Sequence, residues 1–308
     1  MIVFVAGSPS IDRMHMVEAL RPGGIHRPGQ VVAVAGGKAL NAARAAHALG
    51  ADVRAVALLG GHAGRWVAAA LAEEGVAYEA VRGPGETRTC VSVADGESLT
   101  EFYEPGPPLD SEHWAALEAA AARAASGAAW VGVSGSLPPG APADACARLI
   151  RVARDAGARV ALDAEGEALA AGLEAKPDFV KVNAGEAAAL GVADAAALRA
   201  AAGGGARAAA ITHGAEGMEF AAPDGALHHV APPRLGAYPV GSGDAALGGF
   251  LAALDAGAGW EDALARAAAA AAANAQVPGA GRLGWPRPSG PGRRPGRTGA
   301  ARGGRPPA

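Results

Sequence analysis

Val240-Gly241-Ser242-Gly243-Asp244-Ala245-Ala246-Leu247-Gly248-Gly249-Phe250 is the stretch on which the reading of this chain turns. Small residues leave the backbone open where a loop becomes an apolar helix. Amide N–H groups at such a junction can point at an anion, and the positive end of the helix dipole adds to the attraction. Asp244 falls in the first helical turn, beside the place an anion would occupy. An anion cradle with a carboxylate at its lip supplies what phosphoryl transfer to a hydroxyl requires. The donors hold developing negative charge, and the carboxylate accepts the proton of the attacking alcohol. A plain turn with an acidic residue suited to the dipole has the same local sequence, so the rest of the chain has to decide.

Outward from there, short β-rich runs alternate with Ala/Leu-rich stretches. Ile2–Ala6, Val53–Leu59, Trp130–Ser134, Arg159–Asp163, Phe179–Asn183 and Ala208–Thr212 read as strands. Ala39–Leu49, Gly64–Glu74, Ser111–Ala125, Pro142–Ala156, Ala195–Ala201, Asp244–Asp255 and Trp260–Asn274 read as helices. Apolar strands without clean alternation, each followed by a helix, predict an α/β fold with a mostly parallel sheet covered on both faces. In such a sheet the ligand site lies at the carboxyl ends of the strands. Residues 12–34 and 87–104 break the pattern. The second contains Cys90-Val91-Ser92-Val93 and Thr100-Glu101-Phe102-Tyr103 around Asp95-Gly96, a hairpin signal. Together they predict a small strand layer projecting as a lid. Such a layer needs shelter from the body or a second chain, so a homodimer through the lid is expected.

Composition narrows the class. Half of the 308 residues are hydrophobic and only 4% aromatic, so the core should be packed by Ala, Val and Leu. Cys90 and Cys146 match no metal spacing and point to a reducing compartment. The start lacks a basic leader, and Ala267–Ala273 is too short to span a bilayer, so a cytoplasmic protein with no membrane partner is expected. Six of the 27 Lys and Arg residues and no acid fall in residues 283–308, leaving 21 cations against 30 acids before them. That acidic body argues against nucleic acid as a partner. The Pro/Gly/Arg-rich tail 283–308 is expected to be disordered, beyond a single domain over 1–282.

Four further motifs sit where strands or loops give way to helices. Gly36-Gly37-Lys38-Ala39-Leu40-Asn41 permits close backbone approach and brings a positive charge, but lacks the glycine spacing and the Ser or Thr of a Walker A loop. Ser134-Gly135-Ser136-Leu137-Pro138-Pro139-Gly140 is a rigid connection at a strand's carboxyl end. In Lys181-Val182-Asn183-Ala184-Gly185-Glu186, Lys181 can neutralise phosphate, and Asn183 with Glu186 can hold Mg²⁺ directly or through water. The same two residues have capping-box spacing, and the readings are compatible. Thr212-His213-Gly214-Ala215-Glu216-Gly217 leaves another strand with a glycine turn suited to a nucleotide. Asp163 and Arg88 are further polar candidates for the cleft.

These pieces, in this order, resemble the ribokinase-like (PfkB) sugar kinase family, within it the branch of 1-phosphofructokinase and tagatose-6-phosphate kinase. The resemblance runs from about Val3 to Gly281 and is carried by GSGD at 241–244, Pro9-Ser10-Ile11-Asp12-Arg13, the Gly-Gly-Lys loop with Asn41, Thr87-Arg88, Pro105-Gly106-Pro107 and 134–140. It implies a Rossmann-like three-layer sandwich, a β-sheet lid and ATP with Mg²⁺. On matching positions it implies Asp244 as base, with Gly241, Ser242 and Gly243 as the anion hole. Asp12, Gly36, Gly37, Lys38 and Asn41 would bind the sugar, and Arg88, with Lys38 and Ser136, the phosphate already on it. Lys181, Asn183, Thr212, Gly214 and Gly217 would line the nucleotide site, and Glu186 with Asn183 would hold Mg²⁺ through water. The family usually has Gly at Ala39, Pro at Val182 and Ser or Thr at Ala245, and the branch often has Asn at Cys90. The substrate this implies is a ketohexose phosphate, with fructose 1-phosphate ahead of fructose 6-phosphate and tagatose 6-phosphate. A kinase of an unphosphorylated sugar or nucleoside, and a catalytically lapsed sugar-phosphate-binding protein, are the alternatives.

Overall fold

A computed structural model of the chain describes residues 1–284, so the expected tail lies, from residue 285 on, outside the described residues. The strands are β1 (Ile2–Ala6), β2 (Ser10–Met16), β3 (Gln30–Gly36), β4 (Val53–Leu59), β5 (Ala77–Arg82), β6 (Arg88–Ala94), β7 (Leu99–Tyr103), β8 (Trp130–Ser134), β9 (Arg159–Asp163), β10 (Phe179–Asn183), β11 (Ala208–Thr212), β12 (Met218–Ala221) and β13 (Leu227–Val230). The helices are α1 (Lys38–Ala48), α2 (Gly61–Glu73), α3 (Ser111–Ala125), α4 (Ala145–Asp155), α5 (Gly166–Glu174), α6 (Ala184–Leu190), α7 (Ala195–Ala201), α8 (Ser242–Asp255) and α9 (Trp260–Asn274). A nine-stranded sheet runs β13-β12-β11-β10-β9-β8-β1-β4-β5. It is parallel from β5 to β11, and β12 and β13 turn back antiparallel. The chain moves from β1 outward to β4 and β5 on one side, then to β8 and beyond on the other. The strand order therefore reverses at β1, which opens a crevice outside the carboxyl ends of β1 and β8.

Alternate residues of each strand feed two cores, as the period of two requires. Val3 and Val5 join Trp114, Leu117, Ile150 and Leu198 from α3, α4 and α7 on one face. Ile2 and Phe4 join Leu40, Val67, Leu247 and Leu264 from α1, α2, α8 and α9 on the other. The α8 axis is pressed close to its neighbours. A Cβ on Gly248 would lie 2.4 Å from the Ala42 carbonyl of α1, and one on Gly249 2.8 Å from Ala270 Cβ of α9. Phe250, stacked on Phe179 with centroids 4.3 Å apart, anchors the same helix to β10. The first turn of α8 is thereby held rigidly over the strand ends.

The two exceptional stretches form a separate four-stranded sheet, β3-β2-β6-β7. It begins at Ser10 and Arg88 and ends at Gly36 and Tyr103, a residue or two from the expected limits. Gly96 at φ 85° turns the expected hairpin, and Asp95 Oδ1 accepts from the Ser98 amide at 2.8 Å. Four helix starts differ from expectation, α1 by one residue, α8 by two, and α2 and α4 by three. α2 starts at Gly61 because Glu86, distant in sequence, caps it by accepting from the His62 and Ala63 amides at 3.0 and 2.9 Å. α4 starts at Ala145 because residues 138–145 are spent on turns, with the Ala141 amide donating to Pro138 O and the Ala145 amide to Pro142 O. No described helix is long and apolar enough to cross a membrane.

Candidate active site

A cleft of about 910 Å³ lies at the order reversal, between the carboxyl ends of the parallel strands and the small sheet. Asp12, Gly37, Lys38, Asn41, Arg88 and Ser136 reach its wall from one end. Lys181, Asn183, Thr212, Gly214 and Gly217 reach it from the other, with Gly241 to Asp244 between. Gly36 and Glu186 stand behind the wall. Gly36 makes room for the Asp12 carboxylate, since a Cβ there would fall 2.0 Å from Asp12 Cγ.

Gly241, at φ 78° and ψ 2°, is the N-cap of α8. A left-handed residue here costs glycine nothing and directs the chain abruptly into the helix. The Ala245 amide closes the first turn onto Gly241 O at 2.8 Å. The Ser242 amide donates to Pro239 O at 3.0 Å and so belongs to the turn rather than to the cradle expected of it. The amides of Gly243 and Asp244 have no acceptor within the helix, as at any helix start. Lys181 Nζ adds positive charge there, 3.2 Å from where a Cβ of Gly243 would be.

Asp244 is only 7% exposed, and its Oδ2 accepts from Asn41 Nδ2 at 3.0 Å. The same nitrogen stands 3.4 Å from Asp12 Oδ2, so one amide ties two carboxylates together. Asp12 also accepts from Ser10 Oγ at 2.6 Å and from the Gly37 amide at 3.3 Å. Burial pushes the Asp244 carboxyl up to about 6, against the pull of Lys181. Such a group is ionised at neutral pH yet more basic than an ordinary aspartate, which suits proton acceptance.

Behind the cradle lies a chain of opposite charges. Asp163, at the end of β9 and fully buried, accepts from Lys181 Nζ at 2.7 Å and Lys38 Nζ at 3.5 Å. Burial alone would raise the Asp163 carboxyl, but the two lysines hold it below its ordinary value. Lys38 also pairs with Glu186 Oε1 at 2.7 Å. Burial disfavours the Lys38 charge, but Asp163 and Glu186 outweigh it and hold the ammonium above its usual range. The expected capping box is present: the Asn183 amide donates to Glu186 Oε2, and the Glu186 amide to Asn183 Oδ1, both at 2.8 Å. Lys38, expected at an incoming phosphate, is thus already balanced by two carboxylates.

Arg88 differs. Its Nη2 donates to Ser8 O at 3.1 Å and to Ser136 Oγ at 3.2 Å, and its Nη1 to Glu104 O at 3.4 Å. These oxygens are neutral, the buried Nε has no partner, and Arg88 forms no ion pair among the described residues. Cys90, opposite Asp12 on the same face, lines the cleft with its thiol pushed up by burial. In the glycine turn, Thr212 Oγ1 donates to Val182 O at 3.4 Å, and Gly217 O accepts the His213 amide at 2.8 Å.

Asn274 escaped the sequence reading except as the end of an alanine run. It is fully buried and donates to the cradle loop at Val240 O, 2.8 Å away. The signal was there: a lone amide closing Ala267–Ala273 has no use in an alanine-packed helix.

Residues 2–287 match the model of the pfkB family carbohydrate kinases. Among solved structures, phosphofructokinase-2 from Escherichia coli in complex with potassium is 28% identical, with a TM-score of 0.82 over 92% of this chain and 94% of that one. The same enzyme in complex with fructose-6-phosphate is similar at 28% identity and a TM-score of 0.79, over 88% and 92% of the two chains. A Thermotoga maritima protein described as a possible 1-phosphofructokinase shares the fold at 21% identity and a TM-score of 0.79, over 88% and 91%.

Proposed function

This chain belongs to the pfkB family of carbohydrate kinases and is a sugar phosphotransferase, and on that premise we propose that it moves the γ-phosphoryl group of ATP to a hydroxyl of a ketohexose monophosphate. The observation that carries the reading is the sharing of one cleft by buried Asp244, the open amides at the start of α8 and the unpaired cation Arg88. Asp12, Gly37, Lys38 and Asn41 hold the sugar over Gly36, while Arg88 and Ser136 take its phosphate. Lys181, Asn183, Thr212, Gly214 and Gly217 face the nucleotide. Asp244 accepts the hydroxyl proton as the new O–P bond forms and the bond to ADP breaks. Amides 243 and 244 and Lys181 stabilise the charge on the group in flight. The small sheet covers the cleft and keeps out water that would hydrolyse ATP.

The donor set fits Mg²⁺ held mainly by the nucleotide and by water. Among the described residues no cluster of three or more His, Cys, Asp or Glu could hold a metal. Asn183 and Glu186 offer oxygens of the hard type, and Mg²⁺ takes few carboxylates. When bound, it would neutralise charge on the donor phosphates.

Val31 and Phe102 are 48% and 61% exposed on the sheet face turned away from Asp12 and Cys90. They support a homodimer through this sheet in a cytoplasmic enzyme, and sedimentation of a monomer at micromolar concentration would contradict the dimer. The reaction is tested by a coupled assay of the purified protein with ATP and Mg²⁺. Fructose 1-phosphate, which the motifs favour, and fructose 6-phosphate, the ligand of one neighbour, head a panel with tagatose 6-phosphate, free ribose and adenosine. Preference for ribose or adenosine would remove the sugar-phosphate assignment.

A further inference from the structure

We propose that Asn274 is a positioning residue for phosphoryl transfer: its side-chain amide, at the end of α9, fixes the loop that opens α8 and leaves the Ser242 hydroxyl proton free for the transferred group. The inference rests on the reading of the α8 start as the phosphoryl cradle.

A buried primary amide is costly unless its donors and acceptor are used. Asn274 is 0% exposed and uses all three. Its Nδ2 donates to Val240 O at 2.8 Å and Ser242 Oγ at 3.2 Å and stands 3.5 Å from Tyr238 O, and its Oδ1 accepts from the Gly281 amide at 2.8 Å. None of these partners belongs to its own helix. The neighbouring turn grips the same loop further out, through the Tyr238 amide to Ala275 O at 3.1 Å and Gln276 Nε2 to Leu235 O at 3.1 Å. Asn274 alone reaches the two residues that flank Gly241.

Two consequences follow for the cradle. Holding Val240 O fixes the plane of the peptide that enters Gly241, and so the left-handed step that aims the next amides. The Ser242 amide is already committed to Pro239 O, so the amides left open are those of Gly243 and Asp244. Second, Ser242 Oγ receives a hydrogen bond from Asn274, and a hydroxyl has one proton to give. Because Ser242 lines the cleft, that proton becomes a third donor toward a phosphoryl group.

The test compares Asn274→Ala and Asn274→Asp with the wild type. Aspartate keeps the shape and can still accept from Gly281, but an ionised carboxylate gives Val240 O and Ser242 Oγ no donor. Loss of a preorganised donor to transition-state charge costs roughly 10²-fold or more in kcat when the donor itself is removed. Loss of its support is expected to cost about 10-fold or more in both variants, with KM for ATP and for the acceptor within about twofold. A lowered melting temperature with wild-type kcat per folded molecule would assign Asn274 to the core alone and overturn the proposal. If neither variant folds, Ser242→Ala reads the same bond from its other end. Several-fold loss of kcat at unchanged KM is expected there, and an unchanged kcat overturns the proposal. The wild type in the same assay separates the two readings. A wild type that phosphorylates no sugar overturns the kinase cradle itself, whereas an active wild type beside an equally active Asn274→Ala overturns only this assignment.

Discussion

The two walls of the cleft follow opposite electrostatic plans. Where β9 and β10 end, Lys181 and Lys38 are answered by Asp163 and Glu186, and Asp163 is wholly buried between its lysines. On the wall built by the small sheet, Arg88 touches only neutral oxygens and keeps its charge uncompensated. The first wall rests on rigid parallel strands with helices packed on both faces. The second rides on four strands with exposed Val31, Phe102 and Tyr103. In the proposed reaction, chemistry belongs to the balanced wall, where geometry is fixed before a ligand arrives. In the same proposal, recognition belongs to the other, where an anion would supply the missing counter-charge.

The contrast is broken most severely at the point where the walls meet. Asp244→Ala removes the proposed base, and kcat should fall ~10²-fold or more with the fold retained; near-wild-type turnover in a coupled assay would remove Asp244 from the chemistry. Next comes the balanced wall. Asp163→Ala leaves Lys181, whose side chain is 5% exposed, without its partner. Breaking a buried pair from one side costs about 3–5 kcal/mol, which denaturant unfolding should register. A loss below about 1 kcal/mol would mean that water already screens the pair.

A smaller effect is tied to pH. The native Asp244 carboxyl sits at about 6 against an ordinary 3.8, so the folded chain holds this proton more tightly than the unfolded chain does. Stability from that proton is complete below the unfolded value and lost as pH rises through about 6. Asn at this position cannot ionise. The melting temperature of Asp244→Asn relative to wild type should therefore climb between those limits, by the equivalent of about 3 kcal/mol. A flat difference would show that the buried carboxylate bears no net penalty.

Much of this could be read from the residues alone. The six expected strands have their expected limits, because strands buried on both faces are written as unbroken apolar runs such as Ile2–Ala6 and Ala208–Thr212. β5 was missed because an edge strand, Ala77-Tyr78-Glu79-Ala80-Val81-Arg82, is mostly exposed and carries charges. The antiparallel pair β12 and β13 and the helix α5 also went unread, and of α6 only the start was read, from the capping box at Asn183 and Glu186. At the site, loop motifs were legible because glycine turns and caps are local. The pairing of Lys38 with Asp163 and Glu186 was not, since 125 and 148 residues separate the partners and no local pattern encodes them. The lone amide of Asn274 stands out of its alanine run, but what it binds is hidden for the same reason: its partners are carbonyls, an amide and a hydroxyl brought to it by the fold.

The claim at the centre is that an uncompensated cation on the small sheet selects an anionic acceptor. Its most direct test is kcat/KM for fructose 6-phosphate against fructose, with ATP and Mg²⁺, in wild type and in Arg88→Ala. Charge-assisted hydrogen bonds contribute about 1.5–3 kcal/mol, or roughly 10- to 150-fold. The wild type should prefer the phosphorylated sugar by at least that factor, and Arg88→Ala should lose it through a raised KM for the phosphate ester while KM for ATP stays put. Equal use of both sugars by the wild type, or an undiminished preference in Arg88→Ala, would contradict it.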